Sequence, residues 1–249
     1  MAAKIGIALS GGGVKGFAHL GVLKALEEKG IEADVLAGIS AGAIVGSFIA
    51  AGKKPTEVME LMNENDFFDF AKLGIPDRGF FTLENMTKNL KKSLGAKTFE
   101  ELKTPFYVGA ANIGKARMEY FSKGELIKII QASSSIPVLF SPVEIAGELY
   151  VDGGLFENLP VNPLINKCDK LIAVNVMPVN LEGEIENITD MAVRTFQLKT
   201  SVNVMELREK ADIYIEPTGI EDYNILNTKY SQELYELGYN YCKKLEIEI

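Results

Sequence analysis

Gly38-Ile39-Ser40-Ala41-Gly42 is a G-x-S-x-G pentapeptide that separates a short apolar run, Asp34 to Ala37, from a stretch of small residues, Ala41 to Ala51. A strand that turns sharply into a helix through this pattern holds its serine on a strained bend, with the hydroxyl exposed above the sheet. Side chains at the flanking positions would collide with the neighbouring strand and helix, so both are glycine. The pattern predicts that Ser40 is a nucleophile at a strand end.

The residues before the pentapeptide form a second unit of the same kind. Lys4 to Leu9 is an apolar run that ends in glycines, Val14 to Glu28 has apolar residues at helical spacing, and Gly30 ends that helix. Two consecutive strand-turn-helix units are typical of a parallel sheet with helices on its faces. We therefore expect an α/β fold.

The rest of the chain continues this pattern without an internal repeat or a low-complexity linker. We expect a single domain over residues 1–249, with a cap-like insertion over about residues 55–100 that includes a helix from Leu83 to Leu94. Val143 to Val151 alternates and crosses Gly147, which predicts a hairpin that ends at Asp152. Further strands are predicted at Pro105 to Asn112, Arg117 to Phe121, Lys170 to Met177 and Asp212 to Glu216, and helices at Gly124 to Ala132, Ile185 to Lys210 and Thr228 to Leu245.

The composition of the chain disfavours one class of function and indicates a cellular compartment. A net charge of −8 and a pI near 4.9 disfavour a nucleic-acid binder. Short basic clusters, Lys53-Lys54 and Lys88 with Lys91-Lys92, are compatible with transient contact to a membrane surface, or are simply solvated helix faces. The sequence has no signal-peptide pattern and no apolar run long enough to span a membrane, so we expect a cytoplasmic protein, with any membrane contact peripheral.

Metal and disulfide sites are not indicated. Cys168 and Cys242 have no C-x-x-C spacing and no histidine-rich neighbourhood, so we expect two reduced thiols. No acidic cluster has the ligand spacing of a calcium site. We expect an activity without a metal or another cofactor.

The glycine-rich turn from Gly11 to Gly16 has two interpretations. It satisfies the G-x-G-x-x-G dinucleotide-binding fingerprint, with Glu32 or Asp34 at the distance of a ribose partner. It can equally form an oxyanion hole, because the bare N–H groups of Gly11, Gly12 and Gly13 converge at a helix N-terminus. Adjacent parallel strands would place this turn beside Ser40, which favours the oxyanion hole.

A serine nucleophile needs a base, and the chain has one histidine. His19 lies a turn inside the first helix, several ångströms behind the glycine turn, so we expect it to pack in the core rather than act on Ser40. Asp152 follows a strand and precedes Gly153-Gly154, and is the candidate for a direct carboxylate base. The alternative for Asp152 is a simple turn residue, because Asp-Gly is a common turn dipeptide.

These motifs together resemble those of the bacterial patatin-like phospholipases. The resemblance rests on Gly11-Gly12-Gly13-Val14-Lys15-Gly16, the pentapeptide around Ser40, and Asp152-Gly153-Gly154. Two flanking runs also match, Ala132 to Pro137 and Asn158 to Val161, so the resemblance covers about Ile5 to Val176. It implies a three-layer α/β/α fold with a mainly parallel central sheet.

The resemblance also implies a mechanism. Ser40 and Asp152 would form a catalytic dyad, with the N–H groups of Gly11 to Gly13 as the oxyanion hole, and Lys15 matches a basic position of the family. For Lys15 both a role in loop electrostatics and a solvated helix-start lysine remain open. The phenylalanine-rich stretch predicts an acyl-chain pocket and lid, or else a small satellite core, made of Phe67, Phe68, Phe70, Phe80 and Phe81.

The expected function is hydrolysis of lipid carboxylic esters, with phospholipids or lysophospholipids as the natural class. A transacylase that uses the same acyl-enzyme with an alcohol or thiol acceptor is the first alternative. The second is a regulatory, partner-binding protein on this scaffold, and a dinucleotide-dependent oxidoreductase is the remaining one. The sequence leaves the head group, the chain length and the oligomeric state open.

Overall fold

The computed structural model describes residues 3–64, 82–180 and 185–249. Strands and helices alternate along these ranges. The strands are β1 (Ile5–Leu9), β2 (Val35–Gly38), β3 (Phe106–Asn112), β4 (Arg117–Phe121), β5 (Val143–Ile145), β6 (Glu148–Asp152), β7 (Lys170–Val174) and β8 (Ile213–Ile215). The helices are α1 (Gly16–Glu28), α2 (Ala41–Ala50), α3 (Pro55–Glu64), α4 (Glu84–Ser93), α5 (Leu126–Ser133), α6 (Ile188–Ser201), α7 (Val204–Arg208) and α8 (Ser231–Lys244).

The strands form one sheet in the order β5-β6-β3-β2-β1-β7-β8, and β4 pairs with β3 outside this path. The consecutive strands β3, β2, β1, β7 and β8 pair with one another in parallel. β4, β5 and β6 join antiparallel. The prediction of a mainly parallel sheet is confirmed.

β3 brings two strand ends together. Its residues Val108 to Asn112 pair with β4 along one edge, so β2 and β6 share the opposite edge. On that shared edge β2 ends with Gly38 beside Val108, and β6 ends with Asp152 beside Ala110. β2 runs parallel to β3 and β6 runs antiparallel to it, so the two strands point toward each other along this edge. The segment after Gly38 therefore lies next to Asp152.

Helices and turns cover both faces of the sheet. β1 is buried along its whole length, and its side chains alternate: Ile5, Ile7 and Leu9 belong to one hydrophobic cluster, and Ala8 belongs to another. The larger cluster includes side chains of α1, α2, α5 and α8, and the smaller one includes residues 159–164 and α7. This arrangement confirms the three-layer α/β/α prediction.

Most predicted elements are found within one to three residues of their expected bounds. The hairpin turns at Ala146 and Gly147, which adopt φ of 52° and 80°, the left-handed conformation that a tight hairpin needs. The helix predicted from Ile185 to Lys210 is divided into α6 and α7. No helix in the described ranges has the length and apolar character needed to cross a membrane.

The predicted cap is described only in part. Its two helices, α3 and α4, bury Val58, Met62, Met86 and Leu90 in the larger hydrophobic cluster of the sheet. The phenylalanine-rich stretch lies outside the described residues, so its interpretation stays a prediction.

Candidate active site

Ser40 lies at the sharp turn between β2 and α2. Its backbone adopts φ 52° and ψ −119°, a conformation that is strained for a residue with a side chain. A Cβ atom at position 42 would lie 2.2 Å from the carbonyl oxygen of Leu9, and one at position 38 would lie 2.4 Å from the carbonyl oxygen of Gly42. The tight turn therefore requires glycine at both positions, as the sequence pattern predicts.

Asp152 ends β6 and lies beside Ser40. The side chain is fully buried, and its Oδ1 accepts a hydrogen bond of 2.8 Å from the N–H of Gly154. Oδ2 has no partner with regular hydrogen-bond geometry among the described residues. The Ser40 side chain is close enough to stabilise the charged form of this carboxyl group and lower its pKa. Oδ2 is thus the oxygen that remains free to accept a proton.

The environment of Asp152 raises the pKa of its carboxyl group toward neutral pH. Burial raises the pKa of Asp152 from 3.8 to about 7, and the hydrogen bond from Gly154 and the contact with Ser40 only partly oppose this rise. A proton acceptor works best when its pKa is close to the operating pH. The physical setting therefore suits Asp152 to take the proton of a serine hydroxyl.

The turn after α5 holds both residues of this pair. The Oγ of Ser133 accepts a hydrogen bond of 2.9 Å from the N–H of Ser40. Two residues later, the carbonyl oxygen of Ser135 accepts one of 2.8 Å from the N–H of Asp152. The sequence carries no signal for these two contacts, because neither involves a residue near in sequence.

The glycine turn between β1 and α1 lies beside Ser40, as predicted. A Cβ atom on Gly11 would lie 3.2 Å from the Cβ of Ser40. The N–H of Gly11 donates to the carbonyl oxygen of Asn158 at 3.2 Å, which removes it from the set of free donors. In the described part of the chain, no hydrogen bond is found for the N–H groups of Gly12 and Gly13. These two N–H groups are the free donors of the turn.

Gly13 shows why this turn needs glycine. It adopts φ 56°, and a Cβ atom there would lie 2.3 Å from the carbonyl oxygen of Ile225. The same carbonyl accepts the N–H of Val14 at 2.9 Å, which fixes the turn against the loop before α8. The turn is therefore held in shape by contacts on two sides, at Asn158 and at Ile225.

His19 is buried in α1 and directed at the backbone. Its Nε2 lies 2.9 Å from the carbonyl oxygen of Ser10, so Nε2 carries the proton and donates it. Burial lowers the pKa of His19 to about 4, so the ring is neutral near neutral pH. The structure agrees with the expectation that His19 packs in the core.

Lys15 is buried, with 1% of its surface exposed, so its interpretation as a solvated lysine is wrong. Burial lowers its pKa to about 8, against the opposing effect of Glu221 and Asp222. The side chain stays close to these two acidic residues on the loop that supports Gly13.

Among the described residues, no group of three histidine, cysteine or acidic side chains could hold a metal ion.

A narrow cavity of about 20 Å³ lies beside Ser40. Gly13 and Ser134 contribute to its wall, and most of the remaining wall is apolar, formed by Ile44, Met86, Ile136, Phe140 and Leu226. A volume of this size holds about one water molecule. The predicted acyl-pocket residues Phe67, Phe68, Phe70, Phe80 and Phe81 lie outside the described residues. Within the described ranges, Met86 and its neighbours form the apolar wall beside Ser40.

Comparisons with known proteins show which family the chain resembles over most of its length. A family model described as patatin-like phospholipase matches residues 7–165. Lysophospholipase NTE1 of Saccharomyces cerevisiae is 28% identical over 274 residues, which cover 95% of this chain and 16% of that protein. Lysophospholipase nte1 of Aspergillus fumigatus is 32% identical over 182 residues, which cover 69% of this chain and 12% of that protein. The chain spans less than a fifth of the length of these curated relatives.

A solved structure shares the fold. The crystal structure of VipD from Legionella pneumophila superposes with a TM-score of 0.55 at 17% sequence identity, over 96% of this chain and 66% of that chain. At this identity the likeness concerns the fold alone.

The raised pKa of Asp152 predicts a pH-dependent effect on stability. The folded protein holds the proton more tightly than the unfolded chain, so this contribution to stability is complete below the unfolded pKa of 3.8 and is lost as the pH rises through about 7. Asp152→Asn keeps an acceptor for Gly154 and does not titrate. Its free energy of unfolding relative to wild type should rise between pH 4 and pH 8, by up to about 4 kcal/mol. Denaturant unfolding at both pH values measures this, and a difference that does not vary with pH would contradict the assignment.

Proposed function

Because the chain belongs to the patatin-like phospholipase family, we propose that it is a serine lipid acyl hydrolase that cleaves carboxylic esters of lysophospholipids or phospholipids. One observation carries the proposal. The strained nucleophile position at Ser40 lies beside a buried carboxyl group, Asp152, whose pKa of about 7 suits a general base. The sole histidine of the chain, His19, is neutral near pH 7 and donates its Nε2 proton to the carbonyl oxygen of Ser10. This supports a dyad without histidine.

The reaction proceeds through an acyl-enzyme. Ser40 Oγ forms a bond to the ester carbonyl carbon while its proton passes to Asp152 Oδ2, and the carbonyl electron pair moves onto the oxygen. The N–H groups of Gly12 and Gly13 stabilise that negative oxygen. The tetrahedral intermediate then expels the alcohol, which takes the proton from Asp152. Water repeats the sequence on the acyl-enzyme and releases the fatty acid.

The lipid class follows from the wall of the cavity and from the relatives. Ile44, Met86, Ile136 and Phe140 give the cavity beside Ser40 a mostly apolar wall, which favours a substrate with an apolar acyl group. Each buried CH₂ group contributes about 0.8 kcal/mol to binding. The curated relatives are named lysophospholipases, which supports a lysophospholipid as the first substrate to test.

Two substitutions test the dyad. Ser40→Ala should remove detectable hydrolysis of a medium-chain lysophospholipid, because the nucleophile is gone. Asp152→Asn should lower kcat by a factor of about 10² to 10⁴, the usual contribution of a general base. In wild type, kcat/KM should rise as the pH increases through about 7, because the carboxyl group must be deprotonated. Release of free fatty acid, followed between pH 5 and pH 9, measures these effects.

His19→Gln serves as the matched control. Glutamine retains an N–H donor for the Ser10 carbonyl, so activity and its pH dependence should stay close to wild type. If Asp152→Asn remains fully active while His19→Gln is inactive and folded, the dyad is wrong. If wild type releases no fatty acid but transfers the acyl group to an added alcohol, the protein is a transacylase.

We also propose that the protein contacts anionic lipid surfaces through α4. Lys88, Lys91 and Lys92 are exposed on this helix, while Met86 on its buried side lines the cavity beside Ser40. None of the three lysines forms an ion pair within the described ranges. A groove between α4 and α5 adds Lys97 and Lys128 to the same surface. Each lysine near an anionic membrane contributes about 1 kcal/mol.

The lysine surface can be tested separately from catalysis. Lys88→Gln, Lys91→Gln and Lys92→Gln combined should weaken binding to vesicles that contain phosphatidylserine by roughly 100-fold. Hydrolysis of a water-soluble short-chain ester should change less than about twofold, because none of the three lysines lines the cavity beside Ser40 and exposed charges are screened by salt. The control is Lys53→Gln with Lys54→Gln, whose lysines pair with Glu57 and Glu27. Equal vesicle binding by both variants would contradict the proposal.

A further inference from the structure

Three consecutive serines lie at the end of α5, whose last residue is Ser133, and two of them have assigned partners. Ser133 holds the N–H of Ser40 through its Oγ. Ser135 donates its Oγ proton to a carbonyl oxygen of α5 and accepts the N–H of Asp152 on its own carbonyl. Ser134 differs, because its Oγ is buried and has no hydrogen-bond partner among the described residues. The residue as a whole is 6% exposed.

An unpartnered buried hydroxyl is unfavourable for folding. Leaving such a group without a hydrogen bond costs about 1–3 kcal/mol. A serine at a helix end commonly satisfies its hydroxyl on the carbonyl oxygen four residues earlier. The carbonyl oxygen of Ile130, four residues before Ser134, accepts the backbone N–H of Ser134 at 3.0 Å but no hydrogen bond from its Oγ. The hydroxyl of Ser134 does not use the local partner that such a serine commonly has.

The Ser134 side chain lines the same cavity as Ser40 and Gly13. The cavity measures about 20 Å³, so it surrounds a site for little more than one polar atom. Most of its remaining wall is apolar, so the hydroxyl of Ser134 is the sole side-chain donor there apart from Ser40 within the described residues. Gly13, from the glycine turn, lines the same small volume.

We propose that Ser134 Oγ donates a hydrogen bond to the carbonyl oxygen of the bound ester as that oxygen becomes negative. This inference rests on the proposed function and adds a side-chain donor to the backbone donors of the oxyanion hole. It also explains how the site can work although the N–H of Gly11 does not point a free hydrogen bond at the substrate. Gly11 donates to Asn158, and the Ser134 hydroxyl restores the number of donors around the oxyanion to three, with Gly12 and Gly13.

Ser134→Ala tests the inference. We expect kcat on the soluble ester to fall on the order of 10²-fold, with a change in KM below about threefold, because the hydrogen bond strengthens in the transition state. Thermal stability should stay the same or rise, because the substitution removes a hydroxyl without a partner. Ser134→Cys keeps the size of the side chain with a weaker donor and should show a similar loss. Ser47→Ala is the matched control, since Ser47 is a buried serine of α2 whose Oγ bonds to Ile44.

A second measurement separates an effect on the oxyanion from a structural effect. A trifluoromethyl ketone analogue of the substrate forms a hemiketal with Ser40 that places a negative oxygen in the same position. Its affinity should weaken in Ser134→Ala by the same factor as kcat/KM. Activity within threefold of wild type, or a loss of rate with unchanged analogue affinity, would overturn the inference. Inactive wild type, or active Ser40→Ala, would instead contradict the proposed function.

Discussion

The burial of the Asp152 carboxyl group without a neutralising positive charge is the constraint on which the site depends. One hydrogen bond from Gly154 and the nearby Ser40 hydroxyl only partly replace the lost water, so the group holds its proton up to near-neutral pH. A carboxyl group in water would be ionised well below that pH and would be a poor base. Desolvation thus gives Asp152 the proton affinity that histidine supplies in a Ser-His-Asp triad.

The fold supports this arrangement by two independent restraints. The shared edge of β3 makes the ends of β2 and β6 meet, so Ser40 and Asp152 are positioned by sheet hydrogen bonds rather than by flexible loops. The serine turn after α5 then binds the backbone N–H of each of them. Both the strained backbone of Ser40 and the buried carboxyl group reduce stability, and surrounding contacts must compensate for them.

Features that depend on local patterns could be predicted from the sequence. The strand-turn-helix around Ser40, the glycine turn and the hairpin that ends at Asp152 are each encoded within about a dozen residues by apolar spacing and turn glycines. The lack of a suitably placed histidine further indicated a carboxylate base. The placement of the glycine turn beside Ser40 followed from the rule that the carboxyl ends of parallel strands share one edge, whereas that of Asp152, on an antiparallel strand, did not.

Features that depend on contacts between distant residues could not be predicted. The bond from Gly11 to Asn158 joins loops far apart in sequence, and it removes one of the three predicted oxyanion donors. Lys15 interacts with Glu221 and Asp222 from a distant part of the chain, and the roles of Ser133 and Ser135 depend on contacts with Ser40 and Asp152. Such pairings leave no periodic signal in the chain, and a run of serines is typical of an ordinary turn.

The most direct test of the dyad is the ionisation of Asp152 itself. Protein labelled with ¹³C at the aspartate carboxyl carbons can be titrated by NMR, and the Asp152 signal can be assigned by its loss in Asp152→Asn. The account predicts a midpoint near pH 7 for this group in the folded protein. A midpoint near 4, the usual value for aspartate, would show that Asp152 is not tuned as a base and would contradict the account.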